Sequence, residues 1–260
     1  MIFDTHAHYD DSAFDEDREE LLTSLRGQGV DTVVNVGADM ESSARTVKLT
    51  EQYPFIYGAV GVHPDGVGEL DEEKLSRLRE YLALPKIVAA GEIGLDYYWD
   101  KENHDLQKEW FVRQFRLAAE LEKPVIIHSR EAAADTFDIV KAEFRPGMHV
   151  VMHCYSYSPE QAREYLKMGL YFGIGGVLTF KNARKLKEVV EELPMERILL
   201  ETDCPYLAPV PFRGKRNDSG KLGHVVREIS ALKGIPEEEV IRVTEENARH
   251  FYKIGEGTGV

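Results

Sequence analysis

The stretch "HVVMHCYSYSPEQAREYLKMGLYFGIGG", residues 149–176, carries one full period of the fold. It opens on a short apolar run, His149–Tyr155, of strand character. Ser158 then stands as an N-cap, Pro159 takes the first helical position, and Gly169 marks the stop of the intervening helix. A second apolar run, Tyr171–Gly176, follows at once. Strand, helix and strand in this order make a βαβ unit, which joins two parallel strands.

The same alternation extends in both directions. Strand candidates are Ile2–His8, Thr32–Gly37, Phe55–His63, Ile87–Leu95, Val125–Arg130, His149–Tyr155, Tyr171–Gly176 and Ile198–Asp203. Amphipathic segments lie between them. One is "DEEKLSRLREYL", with Asp71 as cap and Leu75, Leu78 and Leu82 on one face. Eight repeats of this kind predict an α/β chain closed into a (β/α)8 TIM barrel, with an open doubly wound sheet as the competing arrangement. No Pro/Gly/Ser linker or compositional break divides the chain, so one domain over residues 1–254 is expected, followed by a flexible tail at 255–260, "GEGTGV".

Composition narrows the function classes. The 260 residues are 43% hydrophobic, enough for a large core. No apolar run is long enough for a membrane span, and Met1-Ile2-Phe3-Asp4 has no look of a secretory signal, so the expected compartment is the cytoplasm. The two cysteines, Cys154 and Cys204, do not suggest a disulfide framework. Forty-six acidic residues against thirty-two basic ones leave a net charge of −14. This argues against broad, sequence-independent adhesion to nucleic acid through a basic surface, although cations and a few local Arg or Lys can reverse the sign inside a cleft.

The predicted strand ends carry ionisable residues. His6 and His8 close the first strand, His63 the third, Glu92 the fourth, His128 the fifth, His153 the sixth and Asp203 the eighth. Each alone has an ordinary explanation: a hydrogen-bonded core histidine, a buried ion pair, a loop cap. Together they are harder to dismiss, because each buried and unpaired ionisable group costs several kcal/mol. A metal centre satisfies them jointly, and a barrel gathers its strand ends on one face.

The expected ligands are His6, His8, Glu92, His128, His153 and Asp203. Imidazole with carboxylate suits Zn, Mn or a similar divalent cation such as Mg. Six donors exceed one tetrahedral ion, so two ions are expected: His6, His8 and Asp203 on one, His128 and His153 on the other, with Glu92 bridging. Two such ions acidify a shared water and stabilise attacking and leaving oxygens alike. Asp203 and Glu92 are the expected catalytic carboxylates, Asp203 orienting that water or accepting its proton.

"FDTHAHYD", "GVHP", "GEIGLDYYW", "VIIHSR", "HCYS" and "LLETDCPYLAP", in this order, resemble the TatD family of metal-dependent deoxyribonucleases. The likeness runs from Ile2 to about Phe251, where "TEENARHFY" is similar to the family's terminal helix. It implies a TIM barrel, the same six ligands, and cleavage of DNA phosphodiester bonds, typically from the ends of a strand; the sequence itself gives no sign of a membrane or an obligate protein partner. Two departures stand near the substrate side: Asp65 follows "GVHP" where the family often has histidine, and Asn217-Asp218-Ser219 replaces the common Asn-Glu-Pro.

Candidate substrate contacts are His63, Arg130, Arg213 and Asn217, with Lys215 and Arg216 in the same basic loop. Tyr97, Tyr98 and Trp99 offer a base-stacking platform or a simple closure of the barrel. "KNARKLK" reads as an exposed helix face. The competing enzyme is a binuclear amidohydrolase or esterase acting on an amide, lactone or aminoacyl ester. Many of these share the H-x-H entrance, and several use a modified lysine from strand four as a bridge, a place taken here by Glu92. A non-catalytic metal-binding scaffold is the third reading.

Overall fold

In the computed structural model, which describes residues 1–255, the eight strands are β1 (Ile2–Ala7), β2 (Val30–Val36), β3 (Ile56–Val60), β4 (Ile87–Asp96), β5 (Val125–Arg130), β6 (Val150–Met152), β7 (Tyr171–Ile174) and β8 (Ile198–Leu200). Between and after them run α1 (Arg18–Ser24), α2 (Met40–Gln52), α3 (Glu72–Leu82), α4 (His104–Glu120), α5 (Ala133–Glu143), α6 (Pro159–Lys167), α7 (Arg184–Glu192), α8 (Leu222–Lys233) and α9 (Glu237–Tyr252). The sheet order follows the chain, β1 through β8, and the fold class is the expected (β/α)8 barrel. The tail expected at 255–260 lies, from residue 256 onward, outside the described residues.

The local signals act as their chemistry requires. Ser158 accepts from the Gln161 amide at 3.3 Å, Pro159 opens α6, and Gly169 sits beyond its end at φ +84°. Asp71 caps α3 through the Lys74 amide. Asp39 and Ser42 form a reciprocal capping box on α2.

Contacts divide the chain into two compact units, Met1–Val34 with Cys154–Val260, and Asn35–His153. Within Asn35–His153, β3, β4, β5 and β6 pair in parallel, with Gly58 opposite Ile87, Ala90 opposite Val125, and Val125 opposite Val150. Val125, Ile126 and Ile127 are buried in succession, as a parallel strand covered on both faces demands. Side-chain amides fix the strand ends to α4: Gln114 bonds both the N–H and the carbonyl of Val62, and Gln107 does the same for Asp96.

Strand β4 spans the expected Ile87–Leu95 and adds Asp96. It runs on past Glu92 to Asp96, pairing Gly94 with His128 and Asp96 with Arg130. Glu92 therefore lies inside the strand rather than at its end, beside an irregularity of register between Ala90 and Ile93. Such an irregularity re-aims side chains without ending the pairing. Gly94 is needed for that pairing: at φ +149° a Cβ would meet the His128 carbonyl oxygen at 1.9 Å. His6 and His128 likewise lie within β1 and β5, while His63, His153 and Asp203 lie just beyond β3, β6 and β8.

In the other unit β7 pairs in parallel with β8, Phe172 opposite Ile198, and an isolated parallel bridge joins Ala7 to Cys204. Terminal helix α9 is tied down by Tyr252, whose hydroxyl donates to the Thr5 carbonyl at 2.7 Å, and by Asn247, whose amide donates to Met195 and Ile198. Cys154 is half-buried and Cys204 buried. No helix of the described residues is long and apolar enough to cross a membrane.

Candidate metal centre

One donor set lies in the unit that holds β1 and β8. His6 and His8 are two residues apart across the end of β1, where strand geometry turns both rings to one side. Their Nε2 atoms approach to 3.2 Å. The Asp203 carboxylate completes the set, its Oδ1 lying 3.3 Å from His8 Nε2 and 3.8 Å from His6 Nε2. Asp203 takes φ +56°, a left-handed conformation that aspartate tolerates better than most residues.

A buried carboxylate network carries this set. Asp4, fully buried, accepts from the Thr202 and Ser219 hydroxyls at 2.6 Å each, from the Thr202 amide at 3.0 Å and from the His6 amide at 3.2 Å. Burial pushes its carboxyl up to about 7, against the pull of these donors. Asp4 thus braces the backbone of His6 and of Thr202, next to Asp203. Asn217 is equally buried, donating to the Thr202 carbonyl at 2.9 Å and accepting from the Asp218 amide at 3.0 Å. The structure therefore gives Asn217 the role of fastening the loop.

A second donor set lies within Asn35–His153. His128 Nδ1 stands 3.7 Å and His153 Nε2 3.6 Å from the same oxygen of Glu92, Oε2. His63 packs edge-on against His128 with ring centroids 4.3 Å apart. His63, Glu92 and His128 each present a ligand atom within 4.8 Å of the others, as do His6, His8 and Asp203 in the first set. The sequence reading gave His63 to substrate; the structure groups it with candidate ligands.

Two acids passed over in the sequence complete the picture. Asp96, 1% exposed, accepts from His128 Nε2 at 3.0 Å and, through its other oxygen, from the Tyr98 and Trp99 amides at 2.9 Å each. Desolvation by burial works against the His128 imidazolium, but Asp96 first and Glu92 next outweigh it and carry its pKa up to about 9. Glu201, also buried, accepts from the Cys154 amide at 2.6 Å and has a carboxylate oxygen within 4.8 Å of a His6 ring nitrogen. Gly173 makes room for it, since a Cβ there would meet Glu201 Oε2 at 2.1 Å. The available signal was spacing: Asp96 stands four residues beyond Glu92 and Glu201 two before Asp203.

The basic candidates fare differently. Arg130 is exposed and its guanidinium lies 4.0 Å from the Tyr98 ring centroid. Arg213 is exposed and stacks on Phe180 at 4.5 Å. Arg216 is held in a two-pronged pair with Asp17, at 2.8 and 2.5 Å. Tyr97 is likewise engaged, its hydroxyl donating to Asp135 at 2.6 Å and its ring stacked on His104 at 3.6 Å.

Each donor set is chemically suited to a divalent cation: buried or half-buried imidazole nitrogens with a carboxylate oxygen, three donors apiece, leave positions open for water or substrate. A family model described as TatD related DNase matches residues 3–253. The chain belongs to the TatD family. Its similarity to the uncharacterized metal-dependent hydrolase YabD of Bacillus subtilis is 45% identity, covering 98% of this chain and 100% of the relative. The uncharacterized metal-dependent hydrolase TatD of Mycobacterium tuberculosis is 36% identical, covering 98% of each chain. Among solved structures, YJJV, a TatD homolog from Escherichia coli, superposes with a TM-score of 0.92 at 30% identity, covering 97% of this chain and 98% of that one. This TatD family member is accordingly a metal-dependent hydrolase.

Proposed function

We propose that this TatD family chain cleaves phosphodiester bonds of DNA, removing nucleotides from strand ends, with two divalent cations of the Zn, Mn or Mg type. The observation that carries the reading is the pair of donor sets: the ligand atoms of His6, His8 and Asp203 lie within 4.8 Å of one another, and His128 and His153 face the same Glu92 oxygen at 3.7 and 3.6 Å. Kinship with a family described as TatD related DNase supplies the substrate class.

His6, His8 and Asp203 would hold one cation, and Glu92, His128 and His153 the other, with His63 beside them. When bound, the cations supply Lewis acidity and an acidified water. The protein's part is orientation and proton handling. Asp203 has a carboxylate close enough to both imidazoles of its set to share in ligation, and its second oxygen is the base that takes the proton of the attacking water. Glu92 orients its histidines through Oε2. Arg130 follows His128 by two residues on β5, hence on the same side of the strand, and supplies a cation for a substrate phosphate. Arg213 offers a second one on the loop after β8.

The test is hydrolysis of end-labelled single-stranded DNA with one terminus blocked, by protein stripped of metal and reloaded with each cation in turn. Metal-dependent shortening from the open end is expected. Failure on DNA and on a simple phosphodiester, with turnover of a lactone, amide or aminoacyl ester, would overturn the reading in favour of an amidohydrolase or esterase.

A further inference from the structure

Tyr98 and Trp99 stand out among the aromatic residues. Trp99 is 67% exposed and Tyr98 40%, although an indole or phenol ring is ordinarily well covered. Their exposure does not come from a loose segment. The Asp96 carboxylate fixes both amides of the turn, and the chain reverses there into α4 with Gln107 locking Asp96 from the other side. The two rings meet edge to face at 4.8 Å. Arg130 lies over Tyr98 at 4.0 Å and 5.5 Å from the Trp99 ring, so one tyrosine face is taken by a guanidinium while the indole stays open.

Resting on the nuclease reading above, we infer that Tyr98, Trp99 and Arg130 form a subsite for an unpaired nucleobase of the DNA substrate, the base stacking on Trp99 and its flanking phosphate meeting Arg130. Three features select this occupant. The platform is joined to the candidate centre through a single side chain, because Asp96 holds the Tyr98–Trp99 turn with one oxygen and His128 with the other. A flat ring beside a guanidinium matches a base beside its phosphate. The chain's charge of −14 leaves little general attraction for a polyanion, so ring stacking must carry much of the hold on substrate. A duplex has no free base face to offer, and the subsite therefore favours single strands and frayed ends.

The experiment follows binding of a short fluorescein-labelled oligothymidylate to full-length, metal-free protein by anisotropy and intrinsic tryptophan emission, and cleavage of the same oligonucleotide by that protein reloaded with divalent cation. The chain has only Trp99 and the buried Trp110 as indoles, so the two signals separate. Oligonucleotide binding is expected to quench the exposed indole. Trp99→Ala is expected to remove the quench and weaken binding about ten- to a hundredfold, the scale of one base–aromatic stack. Trp99→Tyr should restore most of the affinity, and a blunt duplex of the same length should bind far less. Oligonucleotide binding and cleavage that do not respond to Trp99→Ala would overturn the subsite while leaving the nuclease reading in place. A wild-type protein that neither binds nor cleaves the oligonucleotide would overturn both.

Discussion

Nε2 of His128 and Oδ2 of Asp96 are 3.0 Å apart, and the other ring nitrogen of His128 faces Glu92. A carboxylate in that place fixes the imidazole tautomer with its proton on Nε2 and turns Nδ1 toward the candidate cation site. Asp96→Asn keeps the shape of the side chain and removes its charge. Divalent-cation affinity should fall by about ten- to a hundredfold, with the circular dichroism of the fold unchanged. Calorimetric titration of the metal-free protein measures it, and an unaltered affinity would show that Asp96 serves the turn alone.

Removing the cations should abolish hydrolysis, and restoring them should recover it. Chelation followed by gel filtration, metal analysis and assay traces this directly. His8→Ala should lose metal content together with turnover, because it deletes one of three donors in its set. Full turnover by protein shown to be free of metal would contradict the metal-dependent assignment.

Asp4 touches no candidate ligand by its side chain except through the His6 amide, yet four donors converge on it. Asp4→Ala should lower unfolding free energy by about 2–4 kcal/mol, since buried donors are left without an acceptor. Asp4→Asn, which keeps one oxygen, should cost less. Urea denaturation gives both numbers, and an alanine variant as stable as the wild type would refute the bracing role.

On α5, Glu143 shows how acid should act on this fold. Arg116 on α4 grips its carboxylate with bonds of 2.8 and 2.7 Å and holds its pKa below the ordinary glutamate value. A depressed folded-state pKa means the pair stabilises the fold above the unfolded pKa near 4.5 and ceases to do so as pH falls through the lower folded value. Wild type should therefore melt slightly above Glu143→Gln at neutral pH, and the gap should close on acidification. The guanidinium is exposed, so the gap is small. A gap that widens toward acid would reverse the sign of this argument.

Much of the barrel was legible because its signals are local. Ser158, Pro159 and Gly169 each act on their own backbone, and Asp71 caps α3 whatever lies around it. The H-x-H pair was legible for the same reason, strand geometry alone placing both rings on one side. Asp96 was not, since its meaning depends on the β4–β5 register that sets it opposite Arg130 and beside His128. Glu201 depends in the same way on Gly173, a residue of the neighbouring strand. Asn217 reads as a loop residue awaiting substrate until the Thr202 carbonyl is seen to take its amide.

The double grip of Asp96 sets a boundary for anyone who would redesign this protein. Its two oxygens serve different masters, one a ring that faces the candidate cation site and the other a turn that displays an indole. On the nucleobase-subsite proposal, changing the indole itself should alter preference among nucleotides and leave the carboxylate undisturbed. Changes at Asp96, or at Gln107 behind it, shift both grips together, so variants there should gain or lose recognition and turnover as one trait rather than two.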